Sequence, residues 1–240
     1  MYSHTAQYYD KLYAFKDYRG EAEQVRAAIA ARIGADRRLL DVACGAGLHL
    51  QYLRDHFDVA GLDLDAGLLE AARERLPGVP LYQADMETFS LGQTFTAITC
   101  LFSSIAYLKT FDRVASACRT MARHLDPGGV LVVEPWFTPA AWIPGRVHVV
   151  QVDEPELKIV RMSTSLVDGR VSYFDFHYLI GTPGGTEHYV ERHELGLFEE
   201  AEMRQALESA GLVATHDPTG ISGRGLWIGI KEDPKGFKNP

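Results

Sequence analysis

The sequence predicts a doubly wound α/β protein: a seven-stranded, mostly parallel sheet whose last strand is antiparallel, with a second, antiparallel sheet inserted before the last helix. Three observations carry the prediction. Short apolar runs alternate with helix-length stretches through residue 136, the pattern of βαβ units around a sheet buried on both faces. A glycine-rich turn, Asp41-x-x-x-Gly45-x-Gly47, joins the first run to the helix after it. Between residues 147 and 197 the helical signal gives way to strand-length segments separated by Gly and Pro turns.

The elements follow in order. Between residues 20 and 33, Val25, Ala28, Ile29 and Ile33 recur at helical spacing, with Gly34 as a C-cap. Strand-length apolar runs lie at 38–43, 59–62, 81–83, 95–101 and 130–133, and helical stretches at 48–55, 66–76 and 112–125. Pro135, Pro139, Pro144 and Gly145 then break the pattern. Strands are expected at 147–153, 158–167, 170–181 and 186–197. Asp168-Gly169 is read as a two-residue hairpin turn and Pro183-Gly184-Gly185 as a looser one. A last helix at 199–209, with Gly211 after it, precedes strands at 212–217 and 225–231 and a polar tail, 233–240, expected to fray. Residues 1–136 and 198–232 are thus assigned to one domain and 137–197 to an inserted antiparallel subdomain on the acceptor or dimer side.

Composition narrows the class. The 240 residues are 46% hydrophobic and 23% charged, ordinary for a globular protein. A net charge of −8 argues against a nucleic-acid surface but leaves room for a small anionic ligand held by a few local donors. The three cysteines, Cys44, Cys100 and Cys118, have no metal spacing and fit free thiols in a cytoplasmic protein. Residues 1–18 lack the apolar core of a signal peptide, and no run of about 18 apolar residues is present to span a membrane. The histidines, His177, His188 and His193 among them, show no metal spacing and are read as structural or substrate-lining.

The glycine turn lets backbone pass close to a ligand. Gly-x-Gly also opens dinucleotide folds, but the third position of that fingerprint is Leu50, not Gly. Three carboxylates decide between the readings. Asp63 ends the second strand, where an acid can accept ribose hydroxyls. Asp85 follows the third, placed to take a hydrogen bond from an adenine amine. Asp41, before the loop, can face a ligand's ammonium. All three stand at C-terminal strand ends, where open α/β sheets bind ligands.

This pattern resembles the class I methyltransferases over about residues 35–135, including Leu125-Asp126-Pro127-Gly128-Gly129 before the fifth strand. The resemblance implies S-adenosylmethionine as cofactor. It puts Asp63 and Leu64 at the ribose and adenine edge, Asp85 and Met86 at the adenine, and Asp41, Ala43, Gly45 and Gly47 at the methionine part. Tyr9, His49, Leu50, Leu101 and Phe102 complete the implied cofactor set.

A narrower resemblance covers nearly the whole chain. It is to the N,N-dimethyltransferases of nucleotide-linked amino sugars, the desosamine and mycaminose type. Leu101-Phe102-Ser103-Ser104-Ile105, Val132-Val133-Glu134-Pro135-Trp136 and Ser222-Gly223-Arg224-Gly225-Leu226 carry it, with Ala6-Gln7-Tyr8-Tyr9-Asp10 and Asp17-Tyr18-x-x-Glu21 at the N-terminus. It implies a dTDP-linked 3-amino deoxysugar as acceptor; a homodimer is expected separately, from an inserted sheet that covers the acceptor or pairs two subunits. Tyr18, Glu21, Ser103 and Tyr107 are then candidate catalytic residues, and Tyr13, Ser104, Trp136 and Arg224 candidate substrate-binding residues, Arg224 forking onto a pyrophosphate. Some relatives carry His at position 107. Tyr is a poor base at neutral pH, so alignment of nitrogen, methyl and sulfur is expected to do the work. Three other readings stay open: methylation of another small molecule at O or N, a non-catalytic cofactor-binding module, and, disfavoured by Leu50, an NAD-dependent dehydrogenase.

Overall fold

A computed structural model of the chain describes residues 6–34 and 36–233. Residues 234–240, most of the tail expected to fray, lie outside the described residues, as do residues 1–5.

The first sheet contains β1 (Arg38–Val42), β2 (Asp58–Asp63), β3 (Leu81–Gln83), β4 (Phe95–Cys100), β5 (Leu125–Val133), β11 (Leu212–Asp217) and β12 (Leu226–Lys231), in the order β11-β12-β5-β4-β1-β2-β3. Strands β1 to β5 are parallel, and β12, last in the chain, is antiparallel to both neighbours. Strand order reverses beside β1, so the crevice above β1 and β4 is the natural ligand site of such a sheet.

Helices cover both faces. One core joins α5 (Phe111–Arg123) and α6 (Glu200–Ser209) to the sheet; the other joins α2 (Tyr18–Ala30), α3 (Leu50–Leu53) and α4 (Ala66–Arg75) to the opposite face. Val114, Cys118 and Met121 recur at helical spacing and are all but fully buried, the apolar stripe that holds α5 on the sheet. Helix α2 starts at Tyr18, earlier than its apolar pattern indicates, because Asp17 caps it by accepting from the Gly20 amide at 2.9 Å. Helix α3 is shorter than expected. Its end tightens into i→i+3 bonds, Asp55 N to Tyr52 O and His56 N to Leu53 O, because β2 must begin at Asp58. Strand β5 begins at Leu125 and runs through the Pro127-Gly128-Gly129 segment, its register against β4 shifting between Phe95 and Ala97.

The second sheet is antiparallel: β6 (Val147–Glu154), β7 (Leu157–Thr164), β9 (Val171–Thr182) and β10 (Gly185–Gly196), ordered β10-β9-β7-β6, with β8 (Leu166–Asp168) paired to β9. Four strands were expected here and five form. Buried Ser165, whose amide donates to Arg146 O, separates β7 from β8. The first hairpin turn is Gly169-Arg170, one residue later than expected, because Asp168 pairs with Val171. Thr182 pairs with Gly185, so Pro183-Gly184 is a tight turn. The inner face of this sheet packs Ile159, Tyr178 and Ile180 against Tyr9, Leu12 and Tyr13 of the N-terminal segment, which includes α1 (Tyr9–Leu12). No helix among the described residues is long and apolar enough to cross a membrane.

Candidate active site

The loop after β1 turns by left-handed backbone at Ala43 (φ 59°), Gly45 (φ 55°) and Gly47 (φ 77°). The Gly45 amide donates to Asp63 Oδ2 at 2.8 Å, and Asp65 N donates to Asp63 Oδ1 at 2.8 Å. Asp63 thus anchors the loop from β2. Burial raises its pKa against the pull of these amides. Asp41 is 2% exposed and accepts from Thr99 Oγ1 at 2.7 Å. Burial pushes its carboxyl up to about 6, opposed by His49 and Thr99.

A cavity opens over the loop. Asp41, Ala43 and Gly45 line it from below, with Leu101, Phe102 and Ser104 on the β4 side. Tyr9, Tyr18 and His49 close it from the N-terminal side. Nine of the residues expected from sequence therefore meet in one place. Asp63, Leu64 and Asp85 lie further along the strand ends. Ala84 N bonds Asp63 O at 3.0 Å and so holds the two acids on adjacent strands. Leu64 is 65% exposed beside them, an apolar surface of the kind a flat ring covers. Met86 is half-buried against the core.

Several expectations are corrected. Leu50 lines no ligand surface: it is fully buried in the core with Leu53 and Leu69, since α3 turns that face to the sheet. Gly47 acts on packing, because a Cβ there would meet Leu76 Cδ1 at 2.7 Å. Ser103 is 1% exposed and its hydroxyl donates to Pro135 O at 2.7 Å, so it braces backbone, while Ser104 faces the cavity. Glu21, a candidate catalytic residue, is engaged within the fold. It is buried, and its Oε2 is shared by Lys16 Nζ and by His49 Nε2 at 2.8 Å. Its pKa falls, the pull of His49 and Lys16 outweighing burial. His49 is thereby held by Glu21, under the ring of Tyr18 at 4.9 Å.

A second group of polar and aromatic side chains lies beyond Phe102. Arg224 was expected to present a free fork. Instead its Nη2 bonds Glu134 Oε1 at 2.6 Å, with the guanidinium 5.9 Å from the Phe102 ring centre and 5.6 Å from that of Trp136. Glu134 is fully buried, accepts from Ser222 Oγ, and takes the Phe102 amide at 2.6 Å. Trp136 Nε1 donates to Ser172 Oγ at 2.9 Å, and its ring packs with Phe137 and Trp142. Tyr13 Oη accepts from buried Arg161 at 3.0 Å, and Arg161 also covers the Phe176 ring at 4.4 Å. Tyr107, where a base was in question, bonds His193 Nδ1 at 2.8 Å.

Sequence reasoning missed Glu134, Lys16 and Arg161. The signal for Glu134 was a carboxylate ending the run Val130–Val133 before a proline. For Arg161 it was its alternation with Ile159 and Ser163, meaningful only once the inner face is known. Lys16 had no local signal. Among the described residues no cluster of His, Cys, Asp or Glu is arranged to hold a metal.

The family model for the methyltransferase domain matches residues 39–129, the segment that builds the loop and the acids around it. Across 217 residues the chain is 40% identical to dTDP-3-amino-3,4,6-trideoxy-alpha-D-glucopyranose N,N-dimethyltransferase of Streptomyces venezuelae, covering 90% of this chain and 92% of that protein. The chain belongs to the dTDP-amino-sugar N,N-dimethyltransferases. It is also 40% identical to a second such enzyme, dTDP-4-amino-2,3,4,6-tetradeoxy-D-glucose N,N-dimethyltransferase of Saccharopolyspora spinosa, over 94% of this chain and 92% of that one. Among solved structures it matches S-adenosylmethionine-bound CalS10, an amino pentose methyltransferase of Micromonospora echinaspora involved in calicheamicin biosynthesis. The match has a TM-score of 0.82 and 38% identity, and covers 90% of this chain and 92% of that one. This dimethyltransferase-family chain is an S-adenosylmethionine-dependent methyltransferase. Its site fits that cofactor: a buried carboxylate, Asp41, faces a cavity floored by left-handed loop backbone, with acids and an exposed apolar side chain along the adjoining strand ends.

Proposed function

We propose that this enzyme N,N-dimethylates the amine of a dTDP-linked 3-amino deoxysugar. The observation that carries the acceptor class is Arg224, a guanidinium on a buried carboxylate beside Phe102, which lines the cofactor cavity. An anion arriving there meets a pre-aimed donor between two aromatic rings, suited to a diphosphate carrying a flat base.

When bound, S-adenosylmethionine supplies an activated methyl group for in-line transfer. The chain does the rest. Asp41 receives the cofactor's ammonium, Asp63 the ribose, and Asp85 with Leu64 the adenine. Tyr9 and Tyr18 exclude water from above. Arg224 and Trp136 hold the nucleotide part of the acceptor, so that Ser104 and Tyr107 border the amine. Alignment of this kind can supply most of the rate with no strong base. Reaction of purified enzyme with dTDP-3-amino and dTDP-4-amino deoxysugars, read by mass, tests the reading. A gain of two methyl groups on the 3-amino sugar is expected. No gain on any dTDP-amino sugar, with normal cofactor binding, would overturn it.

We also infer a homodimer, with 137–197 as a subdomain on the dimer and acceptor side. Val149, Met162, His177 and Val190 lie in register across the outer face of the second sheet, and Leu179 and His188 stand in the next row. Val149, Met162, Leu179 and Val190 are all about half exposed, an apolar band that a second copy would cover. We place the enzyme in the cytoplasm, where its three buried cysteines stay reduced, and in the biosynthesis of a deoxysugar.

A further inference from the structure

His193 is 1% exposed on the inner face of β10. Its ring packs between Phe174 at 5.9 Å and Phe176 at 4.8 Å, and its Nδ1 lies 2.8 Å from the Tyr107 hydroxyl. Tyr107 sits on the 3-10 turn Ser104–Leu108, which begins at the cavity wall. Its hydroxyl is close enough to act electrostatically on Tyr9, on the same cavity. The pair therefore joins the inserted sheet to the turn whose first residue, Ser104, lines the cavity.

The chemistry of the pair is restricted. Burial, helped by the nearby Arg161 cation, lowers His193 to about 4, so its imidazole is neutral at physiological pH. A neutral imidazole has one bare nitrogen, and a phenol has one proton to give.

We propose that His193 is a positioning residue for methyl transfer: its bare Nδ1 takes the Tyr107 O–H, which leaves the phenol oxygen to accept an N–H from the acceptor's amine. The proposal rests on the amino-sugar reading above. An amine whose N–H points at Tyr107 has its lone pair directed elsewhere by its own tetrahedral geometry. A primary amine and its monomethyl product both carry an N–H, so one acceptor orients both rounds. The dimethyl product keeps its last N–H only until that proton leaves to water, and then loses the hold. The proton shed after each transfer leaves to water, since a base as weak as His193 does not take it.

Two measurements test this. In steady-state kinetics, Tyr107→Phe and His193→Phe should each lower kcat about tenfold to a hundredfold, with acceptor KM and cofactor Kd changed by about twofold or less. The double variant should be no slower than Tyr107→Phe, because the histidine acts only through the phenol. His193→Asn, whose amide oxygen can stand at the Nδ1 position, should recover much of the rate. Tyr107→Phe keeps the ring and removes one oxygen, so it reads the hydroxyl even where His193→Phe folds poorly. Independent, multiplying losses, or His193→Phe at parental kcat, would sink the proposal. The second measurement is the ring-nitrogen NMR spectrum of the parent enzyme, assigned with His193→Asn. A bare Nδ1 is expected, and a protonated one overturns the proposal. That spectrum needs no acceptor, so a parent that methylates no amino sugar counts against the substrate reading alone.

Discussion

Arg224 closes onto Glu134 at 2.6 Å, and the same carboxylate holds the Phe102 amide at 2.6 Å. One buried acid thus ties the loop before β12 to the wall of the cavity over the glycine loop. Glu134→Ala strands a guanidinium whose Nε is already buried without a partner. It should destabilise the protein by about 3–5 kcal/mol in denaturant unfolding. Arg224→Ala leaves Glu134 with two donors and should cost less. It should raise acceptor KM about tenfold or more while cofactor Kd stays put. An unchanged acceptor KM would favour an acceptor without a diphosphate.

The raised pKa of Asp41 predicts opposite effects on stability and binding. In cofactor-free protein the folded carboxyl titrates near 6, above its unfolded value. Holding it ionised therefore costs stability, an effect absent below about pH 4 and complete above about pH 6. Asp41→Asn should stabilise the cofactor-free protein at pH 8 by about 2–3 kcal/mol in thermal or chemical unfolding, less at pH 4. Cofactor affinity should run the other way. It should weaken as pH falls through 6 in the parent and be weak and pH-flat in Asp41→Asn, as calorimetry would register.

Glu21 has the reverse sign. Its pKa is depressed by His49 and Lys16, so its contribution to stability is present above the ordinary carboxylate range and disappears as pH falls through the lowered value. Glu21→Gln should lose about 2 kcal/mol at pH 7 and less at a pH below the lowered value. Equal losses at both pH values would show that the charge is not what matters.

Two glycines separate backbone strain from packing. Gly47 and Gly78 both have positive φ, 77° and 83°. A Cβ on Gly47 would strike Leu76 at 2.7 Å, whereas one on Gly78 meets nothing within 4 Å. Gly78→Ala should cost about 1 kcal/mol, the conformational term alone. Gly47→Ala should cost more and also weaken cofactor binding, since the loop must shift.

The dimer is tested at its apolar band. Met162→Lys places a charge in the row Val149, Met162, His177 and Val190. Sedimentation should find a dimer for the parent and a monomer for the variant. A monomeric parent would end the homodimer reading.

The main sheet was largely legible because its signals are local. Apolar runs mark strands, and Gly45 and Gly47, both with positive φ, mark the turn after the first of them. Where the expectations for the inserted sheet slipped, backbone pairing set the boundary. The hairpin turn moved one residue because Asp168 pairs with Val171, and Ser165 split a strand through Arg146. Within the site, the loop and its acids were readable because each stands at a strand end by virtue of position alone.

By itself the sequence determined the reaction class and cofactor, through Asp41, Gly45, Asp63 and Asp85. These residues act through backbone conformation and strand-end placement, both properties of short segments. Tertiary structure alone decided which polar groups are already engaged. Ser103 bonds Pro135, Glu21 bonds Lys16 and His49, Arg224 bonds Glu134, and Tyr107 bonds His193. Apart from Lys16, each of these partners lies 28 to 90 residues away along the chain. Sheet register and loop closure choose that partner, and no local periodicity encodes either.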